Sequence, residues 1–206
     1  MVSILFPCEY FSPKATLESG QTFRFCPVEE GGYFVLSADK ACLLFPDGKN
    51  IRLECENADE EYFRNYFDFQ TDYAALISEA ESFSVPVLSA AARFGKGLRI
   101  LRQNKAECIL GFIVSQQNNI PRIKGILSRL CAALGEKKSF AGREYFTFPA
   151  LEKLAEKDEG FYRDLGLGYR AKYISETSKK LYAEGLAPLE NKQSRALRNA
   201  LTSYKG

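Results

Sequence analysis

The feature that most limits the fold is the confinement of strand-like alternation to one early stretch, with helix-like periodicity from there to the end. From Thr22 to Glu56 the apolar residues Phe23, Phe25, Tyr33, Val35, Leu43, Phe45, Ile51 and Leu53 fall largely in alternation, and Glu30-Gly31-Gly32 and Pro46-Asp47-Gly48 separate them as turns. That pattern predicts an antiparallel sheet. Helical spacing then runs through Asp59 to Phe69, opened by Asn57 as N-cap with acids in the first turn, and through Tyr73 to Ser82. Beyond Pro86 no further strand is expected. Helical periods cover Ala90 to Arg102, Ala106 to Gln117, Ile120 to Leu134, Pro149 to Lys157, Glu159 to Leu165, Arg170 to Glu184 and Lys192 to Tyr204. Strands followed by many helices, without βαβ alternation, predict an α+β protein. Its antiparallel sheet and first helices occupy residues 1–88, and these pack on an α-helical bundle of residues 89–206.

A chain of 206 residues, 46% apolar and 26% charged, has the composition of a folded domain or two. Its formal net charge of +2 hides a division. Residues 1–90 carry 6 Lys+Arg against 15 Asp+Glu, and residues 91–206 carry 22 against 11. The basic half suits a polyanion, whose condensed counterions it would release, although a solvated lysine-rich helical surface has the same composition. There is no histidine, which removes Ser-His-Asp and Cys-His catalysis. Six cysteines (Cys8, Cys26, Cys42, Cys55, Cys108 and Cys131) lie at wide spacing without a Cys-x-x-Cys pair. They predict reduced thiols and no zinc site. No metal or cofactor is expected. The apolar runs fall well short of the roughly 18 residues that cross a bilayer, and Met1 to Cys8 lacks a basic region and cleavage site. A cytoplasmic protein with no membrane partner is the expectation.

Three segments are candidates for chemistry. In Ser115-Gln116-Gln117-Asn118-Asn119-Ile120-Pro121-Arg122, four amides follow a helix, Cys108 to Val114, that is apolar nearly all round and should be buried. Pro121 fits the first turn of the next helix with Asn119 as its cap. Capping accounts for one or two amides; the others suit base edges, where a donor and an acceptor are needed side by side, and Arg122 adds a fork for a base or a phosphate. In Leu165-Gly166-Leu167-Gly168-Tyr169-Arg170-Ala171-Lys172-Tyr173, two glycines end one helix and a Tyr-Arg pair opens the next. An aromatic and a guanidinium at a helix N-terminus suit a base stack and a phosphate; a glycine C-cap followed by a core tyrosine is the plainer alternative. In Ser19-Gly20-Gln21-Thr22-Phe23-Arg24, the glycine either makes a turn before a strand or permits close backbone approach to a ligand.

Together, in order and spacing, Ser19 to Arg24, Phe112 to Ile123 and Leu165 to Tyr173 resemble the 8-oxoguanine DNA glycosylases of the helix-hairpin-helix superfamily, over nearly the whole chain. The resemblance implies a twisted antiparallel sheet packed on helical lobes, and double-stranded DNA containing oxidised guanine as partner, with the damaged nucleotide flipped into a pocket. It implies that the Gly20 carbonyl accepts a hydrogen bond from N7–H of 8-oxoguanine, a proton that guanine lacks. It implies that Arg122 and Arg170 hold the cytosine left unpaired, and that Tyr169 intrudes into the stack beside it. Gln117 stands where the family generally has asparagine, the residue that fills the vacated space; Asn118 and Asn119 belong to the same DNA-binding stretch.

The family's nucleophilic lysine and assisting aspartate follow a glycine-rich hairpin, whose first residues Lys205-Gly206 match. Lys205 precedes the nucleophile's position, so no catalytic residue is assigned and the chain by itself is expected to be inactive. Three readings follow. The chain is the amino-terminal part of a glycosylase/AP lyase, cut by design, by proteolysis or by an interrupted reading frame. It is a non-catalytic module that binds lesions or abasic sites. Or it is a basic helical domain with unrelated interactions. On the first reading, apolar surface around Ala106 to Leu134 and the last helix is expected to be exposed, promoting self-association or awaiting a missing C-terminal segment.

Overall fold

Alternating apolar residues build one face of a five-stranded sheet, but between Lys40 and Asp47 that face carries Cys42 and Leu44; the expected Leu43 and Phe45 lie on the other face, opposite Glu54 and Arg52. A computed structural model describes residues 1–83, 85–189 and 194–204, and its contacts divide the chain into two units, Met1–Leu36 with Lys40–Gln103, and Ser37–Asp39 with Asn104–Gly206. The first unit holds β1 (Val2–Pro7), α1 (Pro13–Leu17), β2 (Phe25–Pro27), β3 (Tyr33–Ser37), β4 (Lys40–Asp47) and β5 (Asn50–Cys55). The strand order is β1-β5-β4-β3-β2. Register places Ile4 opposite Leu53, Phe6 opposite Ile51 and Leu44 opposite Leu53. Cys42, Leu44, Ile51, Leu53 and Cys55 therefore share a core with Phe63, Tyr66 and Phe67, at and just after α2 (Glu60–Tyr66). Each such ring or aliphatic chain, fully buried, contributes roughly 1.5–3 kcal/mol. Two more helices, α3 (Tyr73–Ser82) and α4 (Pro86–Phe94), complete the unit.

Several expectations change here. Asn57 opens a 3-10 turn, Asn57–Asp59, and Asp59 is the N-cap of α2. The helix expected over Ala90 to Arg102 ends at Phe94. Its second half is a turn followed by irregular backbone, because remote groups take its backbone donors: Arg99 N–H donates to Thr16 Oγ1 (3.2 Å), Leu101 N–H to Gln21 Oε1 (2.9 Å) and Arg102 N–H to the Tyr66 carbonyl (2.9 Å). The same bonds carry the division between units to Gln103, beyond the expected 88/89 boundary.

The second unit contains α5 (Lys105–Ser115), α6 (Ile120–Leu134), β6 (Lys137–Phe140), β7 (Arg143–Phe146), α7 (Leu151–Ala155), α8 (Glu159–Tyr162), α9 (Arg170–Glu184) and α10 (Ser194–Leu201). Its core includes Leu110, Val114, Ile126, Leu130, Leu154, Tyr162, Leu167, Ile174 and Leu181. The hairpin of β6 and β7 corrects the expectation that no strand follows Pro86. Its two-residue turn, Ala141-Gly142, has positive φ at both positions (49° and 73°), the conformation that suits the strands' twist but that Asn-Gly or Asp-Gly usually signals. The expected burial of α5 is incomplete: Phe112 is exposed, and with Cys108, Ile109, Ile113, Gln116, Leu201 and Tyr204 it lines a groove of about 330 Å³. The start of the expected last helix at Lys192, and Lys205, lie outside the described residues. No helix among the described residues is long and apolar enough to cross a membrane.

All six cysteines are free thiols, with Cys42, Cys55 and Cys131 buried. Burial, then nearby carboxylates of Asp59, Glu60 and Glu56, push Cys55 up to about 11, and burial pushes Tyr162, whose hydroxyl donates to the Leu154 carbonyl (2.5 Å), up to about 12. Both folded values exceed the unfolded ones, so the unfolded chain releases these protons first and stability falls as pH rises. The loss begins near pH 9 for Cys55 and near pH 10 for Tyr162. The urea midpoint is expected to be lower at about pH 10.5 than at about pH 8, less so in Tyr162→Phe. An unchanged midpoint would contradict these environments.

Candidate functional site

The loop between α5 and α6 consists of side chains that close helix ends. Asn118 Nδ2 donates to the Val114 carbonyl (3.0 Å) in the last turn of α5, and its Oδ1 accepts from Asn119 N–H (3.0 Å). Asn119 Oδ1 accepts from Arg122 N–H (3.0 Å), capping α6, with Pro121 in the first turn. Capping thus accounts for two of the four amides. Gln117 is left exposed, in a left-handed conformation (φ 44°) that a residue with a Cβ rarely adopts.

Arg170, the first residue of α9, holds that conformation. Its Nε donates to the Gln116 carbonyl (2.8 Å) and its Nη2 to the Gln117 carbonyl (2.9 Å) as well as to that of Gln116. Gln116 is the C-cap of α5, so the guanidinium sits at the negative end of that helix's dipole. Sequence reasoning expected an outward-facing guanidinium; Arg170 is instead only 4% exposed. Tyr169 is half exposed, lies under the Arg170 guanidinium (4.5 Å) and edge-on to Tyr173 (6.1 Å), and its hydroxyl donates to the Gln116 carbonyl (3.4 Å). The structure therefore joins Gln117, Tyr169 and Arg170 around one loop. Arg122 opens the next helix from that loop with an exposed side chain. Because α9 starts without a side-chain cap, its N-terminal N–H groups favour an anion.

The approach to Tyr169 is a turn, Arg163–Leu167, that leaves helical geometry at Gly166 (φ 88°, ψ 18°) and is followed by Gly168 at φ 59° and ψ −132°, a backbone conformation open essentially to glycine alone. Arg129 of α6, which sequence reasoning did not single out, donates from Nε to the Leu165 carbonyl (2.9 Å). Its partner lies 36 residues away, and no local pattern announces the pair.

Gly20 belongs to the first unit, in the turn after α1, at φ 88°. The turn is fastened on both sides. Ser19 Oγ donates to the Thr16 carbonyl (2.8 Å), and Gln21 spans Arg99 and Leu101 like a short strand. Gln21 Nε2 donates to the Arg99 carbonyl (2.9 Å) while its Oε1 accepts from Leu101 N–H (2.9 Å). Gln103 Nε2 donates in turn to the Gln21 carbonyl (2.6 Å). Arg99 is itself buried, bonded to the carbonyls of Tyr10 (3.0 Å) and Asp68 (2.7 Å). Gln21 is the second positioning residue missed from the sequence: its amide is unremarkable until its two backbone partners are seen together. Among the described residues no three His, Cys, Asp or Glu side chains gather into a metal site.

Comparison with known proteins identifies the family. Residues 3–109 match the family model of the 8-oxoguanine DNA glycosylase N-terminal domain, and residues 110–203 match that of HhH-GPD superfamily base excision DNA repair proteins. The chain belongs to the 8-oxoguanine DNA glycosylase family. It is 32% identical over 183 residues to the N-glycosylase/DNA lyase of Saccharomyces cerevisiae, covering 80% of this chain and 48% of the relative. With the Arabidopsis thaliana N-glycosylase/DNA lyase it shares 39% over 143 residues, 67% of this chain and 38% of the relative. The chain thus spans less than half the length of both. The Clostridium acetobutylicum 8-oxoguanine glycosylase/lyase, in complex with double-stranded DNA containing cytosine opposite 8-oxoguanine, superposes with a TM-score of 0.88 at 29% identity, covering 95% of this chain and 68% of that one.

Proposed function

We propose that the chain acts in base-excision repair on 8-oxoguanine opposite cytosine in double-stranded DNA of the cytoplasm, reading the lesion by base flipping. The observation that carries this reading is the bonding of Arg170 to the Gln116 and Gln117 carbonyls, which joins an exposed amide and a half-exposed tyrosine beside the helix that Arg122 opens. Tyr169 enters the stack, Gln117 fills the space the flipped base leaves, and Arg122 with the remaining N–H edge of Arg170 holds the unpaired cytosine. Asn118 and Asn119 shape the loop that faces the DNA. The Gly20 carbonyl accepts N7–H of 8-oxoguanine and meets a bare acceptor in guanine, a mismatch costing about 1–3 kcal/mol. These groups bind and discriminate; none of them is an amine nucleophile. For the polypeptide of residues 1–206 we therefore propose recognition of lesions and abasic sites without base release.

Anisotropy titrations on duplexes carrying 8-oxoguanine, an unreactive abasic analogue or guanine opposite cytosine test the reading. The abasic duplex is expected to bind about tenfold or more tighter than the undamaged one, a difference of at least 1.4 kcal/mol. Equal affinities would refute lesion recognition. Borohydride trapping on the 8-oxoguanine duplex is expected to give no adduct. An adduct that Lys205→Ala abolishes would place the nucleophile within this chain and overturn the second proposal.

A further inference from the structure

We infer that Arg129 is a positioning residue for the lesion-reading end of α9: by holding the turn that precedes it, its guanidinium sets where Tyr169 enters the base stack. The inference rests on the reading in which Tyr169 is a wedge.

Arg129 lies seven residues after Arg122 on α6, two helical turns and roughly 10 Å along one face. One rigid helix thus carries the cytosine-facing guanidinium at its start and the clamp on the wedge farther along. The clamp has two parts. Arg129 Nε donates to the Leu165 carbonyl (2.9 Å), and Nη2 lies 2.9 Å from the point where a Cβ on Gly166 would stand. Gly166 is at φ 88°, inside the turn. A side chain there would meet both a strained backbone and the guanidinium, so the glycine and the arginine fit each other. Three residues separate Leu165 from Tyr169; two are glycines at positive φ and the third, Leu167, is fully buried. Arg129 fixes the upstream side of this segment as Arg170 fixes its downstream side. Arg129 is itself exposed, so its bond to one carbonyl adds little to global stability and acts mainly on geometry.

The test uses the whole chain and a duplex with an abasic analogue opposite cytosine and 2-aminopurine beside that cytosine, whose fluorescence rises when the base is unstacked. Wild type is expected to brighten the probe and to prefer this duplex to an undamaged one. If wild type does neither, the wedge reading itself is wrong, independently of Arg129. Given that preference, Arg129→Ala is expected to lose about tenfold of it and most of the brightening, with undamaged-duplex affinity within about threefold and the thermal midpoint nearly unchanged. Arg129→Lys, which keeps a donor for Leu165, should recover part of both. Gly166→Ala should reproduce the loss with the arginine in place. Retention of preference and brightening in Arg129→Ala would overturn the inference. So would equal losses on damaged and undamaged duplexes, the mark of a phosphate contact. Should Arg129→Ala not fold, Arg129→Met, which keeps the packed stem, is read against the same two outcomes.

Discussion

Arg170→Ala is expected to lose about 30-fold or more of the preference for an abasic site opposite cytosine, while affinity for undamaged duplex falls only about three- to fivefold. The asymmetry follows from what the side chain holds. Its fork satisfies the Gln116 and Gln117 carbonyls, and Gln117 keeps its left-handed φ of 44° under that constraint. Without the fork the Gln117 carbonyl loses its Arg170 donor and the Gln116 carbonyl keeps only the long bond from the Tyr169 hydroxyl (3.4 Å), at about 1–3 kcal/mol. The Gln117 turn can then relax, since αL costs an L-residue roughly 1–2 kcal/mol. On the proposed reading, lesion recognition loses the loop, the wedge's partner and a cytosine contact in one change. On the proposed reading undamaged duplex is bound mainly through phosphates by cations that this change leaves in place, so it loses less. Arg170→Lys should resemble alanine in preference, because an ammonium cannot span two carbonyls with a planar fork. Titrations against both duplexes decide the matter: parallel losses would reduce Arg170 to a phosphate contact.

The part of this arrangement that the sequence discloses is the part set by local chemistry. The boundaries of α6 and α9, Ile120–Leu134 and Arg170–Glu184, agree with the expected ones. Asn119 and Pro121 carry start signals that act within one turn, and Gly135 and Gly185 follow the last residues of the two helices. Where tertiary bonds compete, local pattern fails. Leu98 to Arg102 has helical spacing but its donors belong to Thr16, Gln21 and Tyr66, and the Ala141-Gly142 hairpin lacks the Asn or Asp that announces its turn. The site divides the same way. That Tyr169 and Arg170 open a helix after two glycines is visible in the residues. That the guanidinium points inward is not, because its acceptors come from the end of α5, 54 residues earlier. Judged from its own helix, whose N-terminal dipole repels a cation, Arg170 belongs outside; the C-terminus of α5 reverses that preference.

Gly168→Ala is expected to be the cleanest disruption of the proposed wedge. Nothing lies within 4 Å of the position a Cβ would take, so the added methyl meets no neighbour and any effect comes from the backbone alone. That backbone, φ 59° and ψ −132°, is one an L-residue reaches only at a cost of about 1–3 kcal/mol. The chain escapes the cost by rotating about residue 168, and what rotates is the start of α9. The bond from Ala171 N–H to the Gly168 carbonyl (3.1 Å) is lost, and Tyr169 swings away from the Gln116 carbonyl that anchors its hydroxyl. Preference for the abasic duplex should fall about 30-fold, the full backbone cost being borne by the lesion-reading conformation. Gly142→Ala provides the control: it too has positive φ (73°) and open space around its Cβ, but sits at the tip of the β6–β7 hairpin. It should lower the urea midpoint comparably and leave discrimination intact. If Gly168→Ala and Gly142→Ala bind the two duplexes alike, the conformation at residue 168 has no part in reading DNA, and the wedge must be sought elsewhere on the chain.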